Sequence, residues 1–381
     1  MNSFLPYTRQ TIEDDDIAAV AAVLRSDFLT TGPAVAAFEN ALAQRVGAAH
    51  AVACANGTAA LHLAALALGL GPGDTAIVPA VTFVATANCA RFAGADAVFA
   101  DVDPDTGLLR PEDLRAAISR AGSGAKAVLP VHLGGQPCDI AAIGAIARDA
   151  GLSVIEDAAH AIGTVQADGT PVGACGESAM TIFSFHPAKT IAMGEGGAVT
   201  TNDAATAERL RLFCAHGIVR APDHPPGYYE MRELGFNYRL SDIHCALGLS
   251  QLERLDVLVA KRIELVAAYD REIARLAPIV KHVRRSSGGT TGWHLYQALI
   301  DFDAAGTTRT EVMNRLRDDG IGTQVHYIPV HRQPYYVARG PQPDLPGADA
   351  FYGRCLSLPL FAGMTEDDVV RVVGALETVL S

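Results

Sequence analysis

Lys189 stands in the stretch FSFHPAKTIAMGEGG, residues 183–197, with Ser184 ahead of it and glycines behind, and Asp157 closes the apolar run LSVIED one candidate strand earlier. A lysine amine condenses with an aldehyde. A pyridine ring joined to that amine then draws electrons from the neighbouring carbon, provided its nitrogen stays protonated, which an adjacent carboxylate favours. One Lys and one Asp therefore form the centre of a site for pyridoxal phosphate. Taken singly, each has an ordinary reading, a solvated surface charge for the lysine and a turn-capping carboxylate for the aspartate. The phosphate of such a cofactor needs donors of its own. Asn56-Gly57-Thr58-Ala59 stands where a β-type run gives way to an Ala-rich helical run, so its amides and the Thr58 hydroxyl could meet an anion at the positive end of a helix. A plain Thr N-cap, worth about 1 kcal/mol, is an equal alternative at this level. Ser184 is open between a second phosphate contact and a bond to a nearby carbonyl.

Other chemistries lack their residues. The chain contains no G-x-x-x-x-G-K-[ST], no H-E-x-x-H and no G-x-S-x-G, and no complete G-x-G-x-x-G follows a strand. GLGPGD at 69–74 precedes a β-type run and reads as a tight turn. The seven cysteines form no C-x-x-C pair, so they are expected in the core, with neither a disulfide framework nor a metal site. Thirty basic against 42 acidic side chains leave a net charge of −12, which argues against a nucleic-acid or anionic-membrane surface and requires any phosphate to be gripped locally. MNSFLPYTRQ has no basic region leading into an apolar core, and no apolar run reaches the ~18 residues of a membrane span. The expectation is a cytoplasmic protein.

These residues must be positioned by a scaffold. AHAVACA, DTAIVPA, ADAVFADVD, AKAVLPVHL, LSVIEDA, AMTIFSF and GAVTTN read as strands, several of them separated by helical runs such as GTAALHLAALALGL and TFVATANCARFAG. That alternation predicts an α/β fold with a mainly parallel sheet covered on both faces, and parallel strand ends would carry Asp157 and Lys189 to one edge. From about residue 245 the pattern changes to a long amphipathic helix, or two joined ones, over LGLSQLERLDVLVAKRIELVAAYDREIARL. TRTEVMNRLRDDG and TEDDVVRVVGALETVL read as helices and TQVHYI as β-like, which suggests a smaller α+β domain; HRQPYYVARGPQPDLPGA reads as a surface loop or lid. The expected division is a large domain over 1–250 and a small C-terminal domain over 251–381.

The motifs GTAALHLA, TFVATAN, IEDAAHAIGT, FSFHPAKTIAMGEGGAVTTND and GFNYRLSDIHCALGLSQLERLD, in this order and nearly end to end, resemble the DegT/DnrJ/EryC1/StrS sugar aminotransferases. That resemblance implies the aspartate-aminotransferase fold (fold type I) and pyridoxal 5′-phosphate as cofactor. It implies Lys189 as the catalytic lysine and Asp157 as partner of the ring nitrogen. His160 is placed near the cofactor's phenolic oxygen, Phe83 on the ring face, and Thr58, Ala59 and Ser184 at the phosphate. Asn237 is implied to reach the phosphate from a neighbouring subunit and Arg239 to meet the donor carboxylate or sugar diphosphate, so the expected unit is a homodimer with shared sites. Tyr7, Thr30, Glu195, His326 and His331 are expected at the substrate. Further stretches, among them SDFLTTGP and TQVHYIPVHRQPYY, resemble the branch that aminates a UDP-linked 4-ketosugar in pseudaminic acid biosynthesis with nitrogen from L-glutamate; a GDP-perosamine type of substrate or a non-catalytic regulatory paralogue are the rival readings. Thr190 and Met193-Gly194 depart from the family pattern beside the cofactor loop, which bears on substrate choice more than on reaction type.

Overall fold

In the computed structural model, which describes residues 4–220, 225–286 and 288–381, strands β1 (His50–Cys54), β2 (Thr75–Pro79), β3 (Asp96–Ala100), β4 (Ala125–Val128), β5 (Ser153–Asp157), β6 (Met180–Ser184) and β7 (Gly197–Thr201) form one sheet. Their order is β1-β7-β6-β5-β4-β2-β3. The pairs from β6 to β3 are parallel, and β7 runs antiparallel to both β1 and β6. β1 and β6 therefore point the same way, and Cys54, Asp157 and Ser184 all end at one edge. Helices α1 (Asp14–Leu24), α2 (Pro33–Val46), α3 (Gly57–Leu68), α4 (Val84–Phe92), α5 (Pro111–Ala121), α6 (Ile140–Asp149) and α7 (Ala204–Cys214) accompany the sheet. A short hairpin, β8 (Ile218–Val219) with β9 (Glu230–Met231), leads into α8 (Asp242–Glu253).

The alternation of side chains along a strand decides which core each one enters. Val52, Ile182 and Val199 face the larger core, together with α3, whose small apolar side chains are buried on nearly every face. Their neighbours Ala53, Phe183 and Ala198 face the opposite core, with Phe38 and Leu42 of α2. Register holds the two sets apart: Val199 sits opposite Val52 and Ile182, and Ala198 opposite Ala53 and Phe183.

The expected amphipathic segment is two helices, α8 and α9 (Leu255–Ile273), joined at Arg254. Leu255, Leu258 and Val259 enter the α2-side core, whereas Leu265, Val266, Tyr269 and Ile273 enter a third one. That third core lies among β10 (Val280–His282), β11 (Tyr296–Ile300), β12 (Cys355–Leu358), α10 (Arg309–Asp318) and α13 (Glu366–Leu380), and it also takes Leu5 from the N-terminus. Arg262 of α9 is buried, and its Nη1 donates to the carbonyls of Trp293, His294 and Leu360 at 3.3, 3.4 and 3.1 Å.

Two readings need correction. TQVHYI is not a strand; it makes a single bridge, Gln324 to Ser357, and then turns inward, with Gln297 Nε2 donating to the His326 carbonyl. HRQPYYVARGPQPDLPGA lies largely at the surface but is not a plain loop. It contains α11 (Pro334–Val337) and the start of α12 (Pro346–Arg354), and Tyr336 is buried with its hydroxyl donating to Asn88 Oδ1 at 2.8 Å.

Gly197, the first residue of β7, is held between the ends of β1 and β6. A Cβ there would lie 2.3 Å from the Asn56 carbonyl oxygen. Gly197→Ala is expected to destabilise the protein by roughly 1–3 kcal/mol through forced displacement of the Asn56 turn, read as a lower thermal midpoint; an unchanged midpoint would show that the turn gives way freely.

Candidate active site

A cavity of about 570 Å³ opens at the edge where β1, β5 and β6 end. Asp157 and Lys189 both line it. Asp157 is delivered by β5, which is pinned beyond the strand on both sides of that residue: its amide donates to the Pro130 carbonyl at 2.8 Å, and its carbonyl accepts from the His132 amide at 3.1 Å. The carboxylate is buried, accepting from Thr86 Oγ1 at 2.7 Å and from the Ala159 amide at 3.1 Å, while Thr86 Oγ1 in turn accepts from the Thr82 hydroxyl at 2.7 Å. Desolvation nonetheless raises the Asp157 pKa, against the opposing pull of those donors and of the Lys189 charge. A protonated ring nitrogen is the kind of partner such a carboxylate lacks.

Lys189 follows β6 by one turn, its amide closing onto the His186 carbonyl at 2.7 Å. Desolvation pulls its pKa down to about 8, with Asp157 opposing. The amine is thereby shared between its neutral and charged forms near neutrality, as a nucleophilic lysine requires.

The phosphate cradle differs in detail from the expectation. Asn56, not Thr58, caps α3, and its Oδ1 accepts from the Ala59 amide at 2.9 Å, so that amide is engaged and Ala59 does not line the cavity. The Thr58 and Ser184 hydroxyls line it with no protein hydrogen bond among the described residues. A Cβ on Gly57 would come within 2.8 Å of Ser184 Cβ, so glycine lets the helix start close on the end of β6. First-turn amides without intrahelical acceptors and two free hydroxyls on one small concavity fit a phosphate.

Phe83 caps the approach to α4 and is 54% exposed at the cavity, its ring 5.9 Å from that of Tyr327. His160 is buried; its Nδ1 accepts from the Gly134 amide at 3.2 Å, which assigns the proton to Nε2, 3.1 Å from the Tyr327 hydroxyl. Burial first, and the Lys189 and His326 charges after it, hold the His160 pKa well below the ordinary value. His326, with Nδ1 2.8 Å from Ser357 Oγ, is lowered to about 3 by burial and Lys189. Tyr7 lies against the His326 ring at 5.9 Å, and exposed Glu195 completes the rim.

Four expected residues are elsewhere. His331 is buried against Phe99 and lines a different cavity with Arg332 and Asp349, because the turn after Pro329 carries it under β3. Thr30 is exposed and bridges Ser241, and Asn237 and Arg239 are exposed outside this chain's own cavity. Conversely, His294, Tyr327, Thr86 and His186 line the cavity without having been singled out from sequence. The available signals were a histidine inside the apolar run WHLYQALI and two threonines one helical turn apart, both of which also describe ordinary core.

Residues 10–377 match the model of the DegT/DnrJ/EryC1/StrS aminotransferase family. The spore coat polysaccharide biosynthesis protein SpsC of Bacillus subtilis is 41% identical over 387 residues, covering 100% of this chain and 98% of that protein. Among solved structures, Helicobacter pylori PseC, an aminotransferase involved in the biosynthesis of pseudoaminic acid, superposes with a TM-score of 0.92 at 29% identity, covering 99% of each chain. Streptococcus pneumoniae Spr1654 in its PMP form superposes with a TM-score of 0.91 at 26% identity, covering 99% of each chain. Its PLP form gives 0.90 at 26%, covering 99% of this chain and 98% of that one.

A desolvated ammonium predicts an unusual pH response of the cofactor-free protein. Below pH 8 both folded and unfolded chains hold the Lys189 proton, and the folded state bears the full desolvation cost; between about 8 and 10.5 the folded state releases it first, so stability from this group rises with pH. Lys189→Met should therefore stabilise the cofactor-free protein at pH 7 by roughly 1–3 kcal/mol, allowing for partial exposure of the side chain. Denaturant titrations at pH 7 and pH 10 should show that gap closing; a constant gap would contradict the assignment.

Proposed function

The chain belongs to the DegT/DnrJ/EryC1/StrS aminotransferase family, and from that membership we propose that it is a sugar aminotransferase that moves the amino group of L-glutamate to the C4 ketone of a nucleotide-linked deoxy sugar. The substrate favoured is UDP-2-acetamido-2,6-dideoxy-β-L-arabino-hex-4-ulose, as in pseudaminic acid biosynthesis. The observation that carries the reaction type is the meeting of Lys189 and Asp157 on one cavity with a hydroxyl-lined helix start beside them. The likeness to PseC over 99% of each chain supports the sugar.

The cofactor is pyridoxal 5′-phosphate, which when bound supplies an aldehyde for the donor nitrogen and a ring that withdraws electrons from the donor α-carbon. Lys189 would hold it covalently. Its amine, whose pKa burial pulls down to about 8 in the cofactor-free chain, would be the group that takes the proton from the donor α-carbon and returns it later. Asp157 would stand at the ring nitrogen, with the Thr86 hydroxyl and the Ala159 amide donating to it against the desolvation that raises its pKa. Thr58, Ser184 and the first amides of α3 would bind the phosphate, with Phe83 over the ring face and His160 near its phenolic oxygen. Tyr7, His326 and Glu195 line the side left for the sugar.

Asn237 and Arg239 complete the reading as residues given to a neighbouring copy. They are exposed, and the hairpin before them presents Tyr228, Tyr229, Met231 and Leu234 to solvent. The working unit proposed is a homodimer with shared sites.

Lys189→Ala is expected to fold and to lose turnover with L-glutamate and the ketosugar; full activity in that variant would sink the reading. Offering UDP-, GDP- and dTDP-linked 4-ketosugars to the wild type should give the fastest amination with UDP, and preference for GDP would move the assignment to a perosamine type of substrate. Mixing inactive Lys189→Ala with inactive Arg239→Ala protomers should restore roughly a quarter of wild-type activity, since about half the dimers are hybrids with one intact site of two. No recovery after confirmed exchange would argue for sites built from one chain.

A further inference from the structure

His294 lines the cavity beside Lys189, and its backbone is held from two sides. Its Nε2 lies 3.5 Å from Lys189 Nζ, at the outer limit of a hydrogen bond, and the ring is 4.4 Å from that of His160. Two elements hold it there. The His294 amide donates to the Gly134 carbonyl at 2.9 Å, and the neighbouring Gly134 amide is the one that holds His160, so a single turn fixes both rings. Behind it, the buried Arg262 guanidinium grips the carbonyls of Trp293 and His294. The approach needs bare backbone: a Cβ on Gly135 would lie 2.6 Å from the Gly292 carbonyl oxygen.

The other nitrogen, Nδ1, is buried without a partner among the described residues. Nε2 is thus the one ring nitrogen with a polar neighbour, and a buried imidazole with neither nitrogen paired would bear two desolvation costs instead of one. The charged and titratable groups facing the pair are Asp157 on the Lys189 side, and His160, His326 and Arg262 around His294. Burial, followed by the Lys189, His160, Arg262 and His326 charges, keeps His294 neutral, so one ring nitrogen carries the proton and the other accepts; in the tautomer with the proton on Nδ1, Nε2 is the acceptor facing Lys189.

Resting on the reading of Lys189 as the reactive amine, we propose that His294 is the docking acceptor for that amine whenever it is not bound to the cofactor. Its neutral Nε2 accepts a hydrogen bond from the Lys189 ammonium and holds Nζ inside the cavity while donor and cofactor are joined. His294 is thus a positioning residue. No proton needs to change owner; the ring supplies the acceptor that burial denies the ammonium.

The test uses the cofactor-free full chain. Trace acetylation across pH, read by mass spectrometry at Lys189, gives the midpoint at which the amine becomes reactive. His294→Leu should move that midpoint down by about one pH unit, because the ammonium loses its acceptor, and His294→Gln, which can offer an oxygen near the same position, should bring it back. Identical midpoints for wild type and His294→Leu, or a Gln variant that behaves like Leu, would overturn the proposal. If His294→Leu does not fold, the ¹⁵N resonance of His294 Nε2 in the otherwise unaltered chain decides. It should move as Lys189 titrates and stay still in Lys189→Met; a resonance that never moves overturns the proposal. Failure in these experiments leaves the aminotransferase reading standing, whereas full turnover by Lys189→Ala would remove that reading whatever His294 does.

Discussion

An amine and a carboxylate, both largely withdrawn from water, face one cavity, and each is displaced from its ordinary pKa because of it. Burial works against both charges, so neither group is held as a comfortable ion pair. Asp157 is kept in place by a hydroxyl and an amide, and Lys189 touches a neutral ring instead of a carboxylate. Displaced pKa values of this kind mark a pair that a cationic heterocycle and an aldehyde would suit, as the proposed roles of these residues require. Most of the surrounding structure can be understood as holding these two groups close together without letting them neutralise each other.

The holding is done by backbone. β5 brings Asp157, β6 brings Ser184 and Lys189, and β1 brings the start of α3, and these ends meet only because β7 inserts antiparallel between β1 and β6. The insertion works because Gly197 and Gly57 have no side chain where the chains cross, since a Cβ at either would fall within 2.8 Å of a neighbour. Small residues are thus spent at the crossing, while the bulk that stabilises the sheet, such as Phe183 and Phe38, sits one layer away.

The far wall comes from a different part of the chain. His294, His326 and Tyr327 belong to segments around the three-stranded sheet, and with His160 they form a neutral imidazole and phenol cluster against Lys189. A wall of charged histidines would oppose the ammonium; a wall of hydrocarbon would offer it no acceptor. Arg262, reaching from the helix that enters both the α2-side core and the third core, ties the backbone of this wall to the rest of the molecule.

Sequence alone determined the strands that carry Asp157 and Ser184, the Ala-rich helix after Asn56 and the long amphipathic helical segment past residue 245, because each depends on local periodicity and turn chemistry; the break at Arg254 came from the structure. Tertiary structure decided that the start of that helix, capped by Asn56, closes on the end of β6. It also decided that TQVHYI turns inward instead of pairing, that His331 goes under β3 while His326 enters the cavity, and that a histidine in an ordinary-looking apolar run comes within reach of Lys189. The cavity contacts among them join segments more than a hundred residues apart, where the free energy lies in excluded volume, shared burial and hydrogen bonds across the fold. A one-dimensional pattern carries no trace of them.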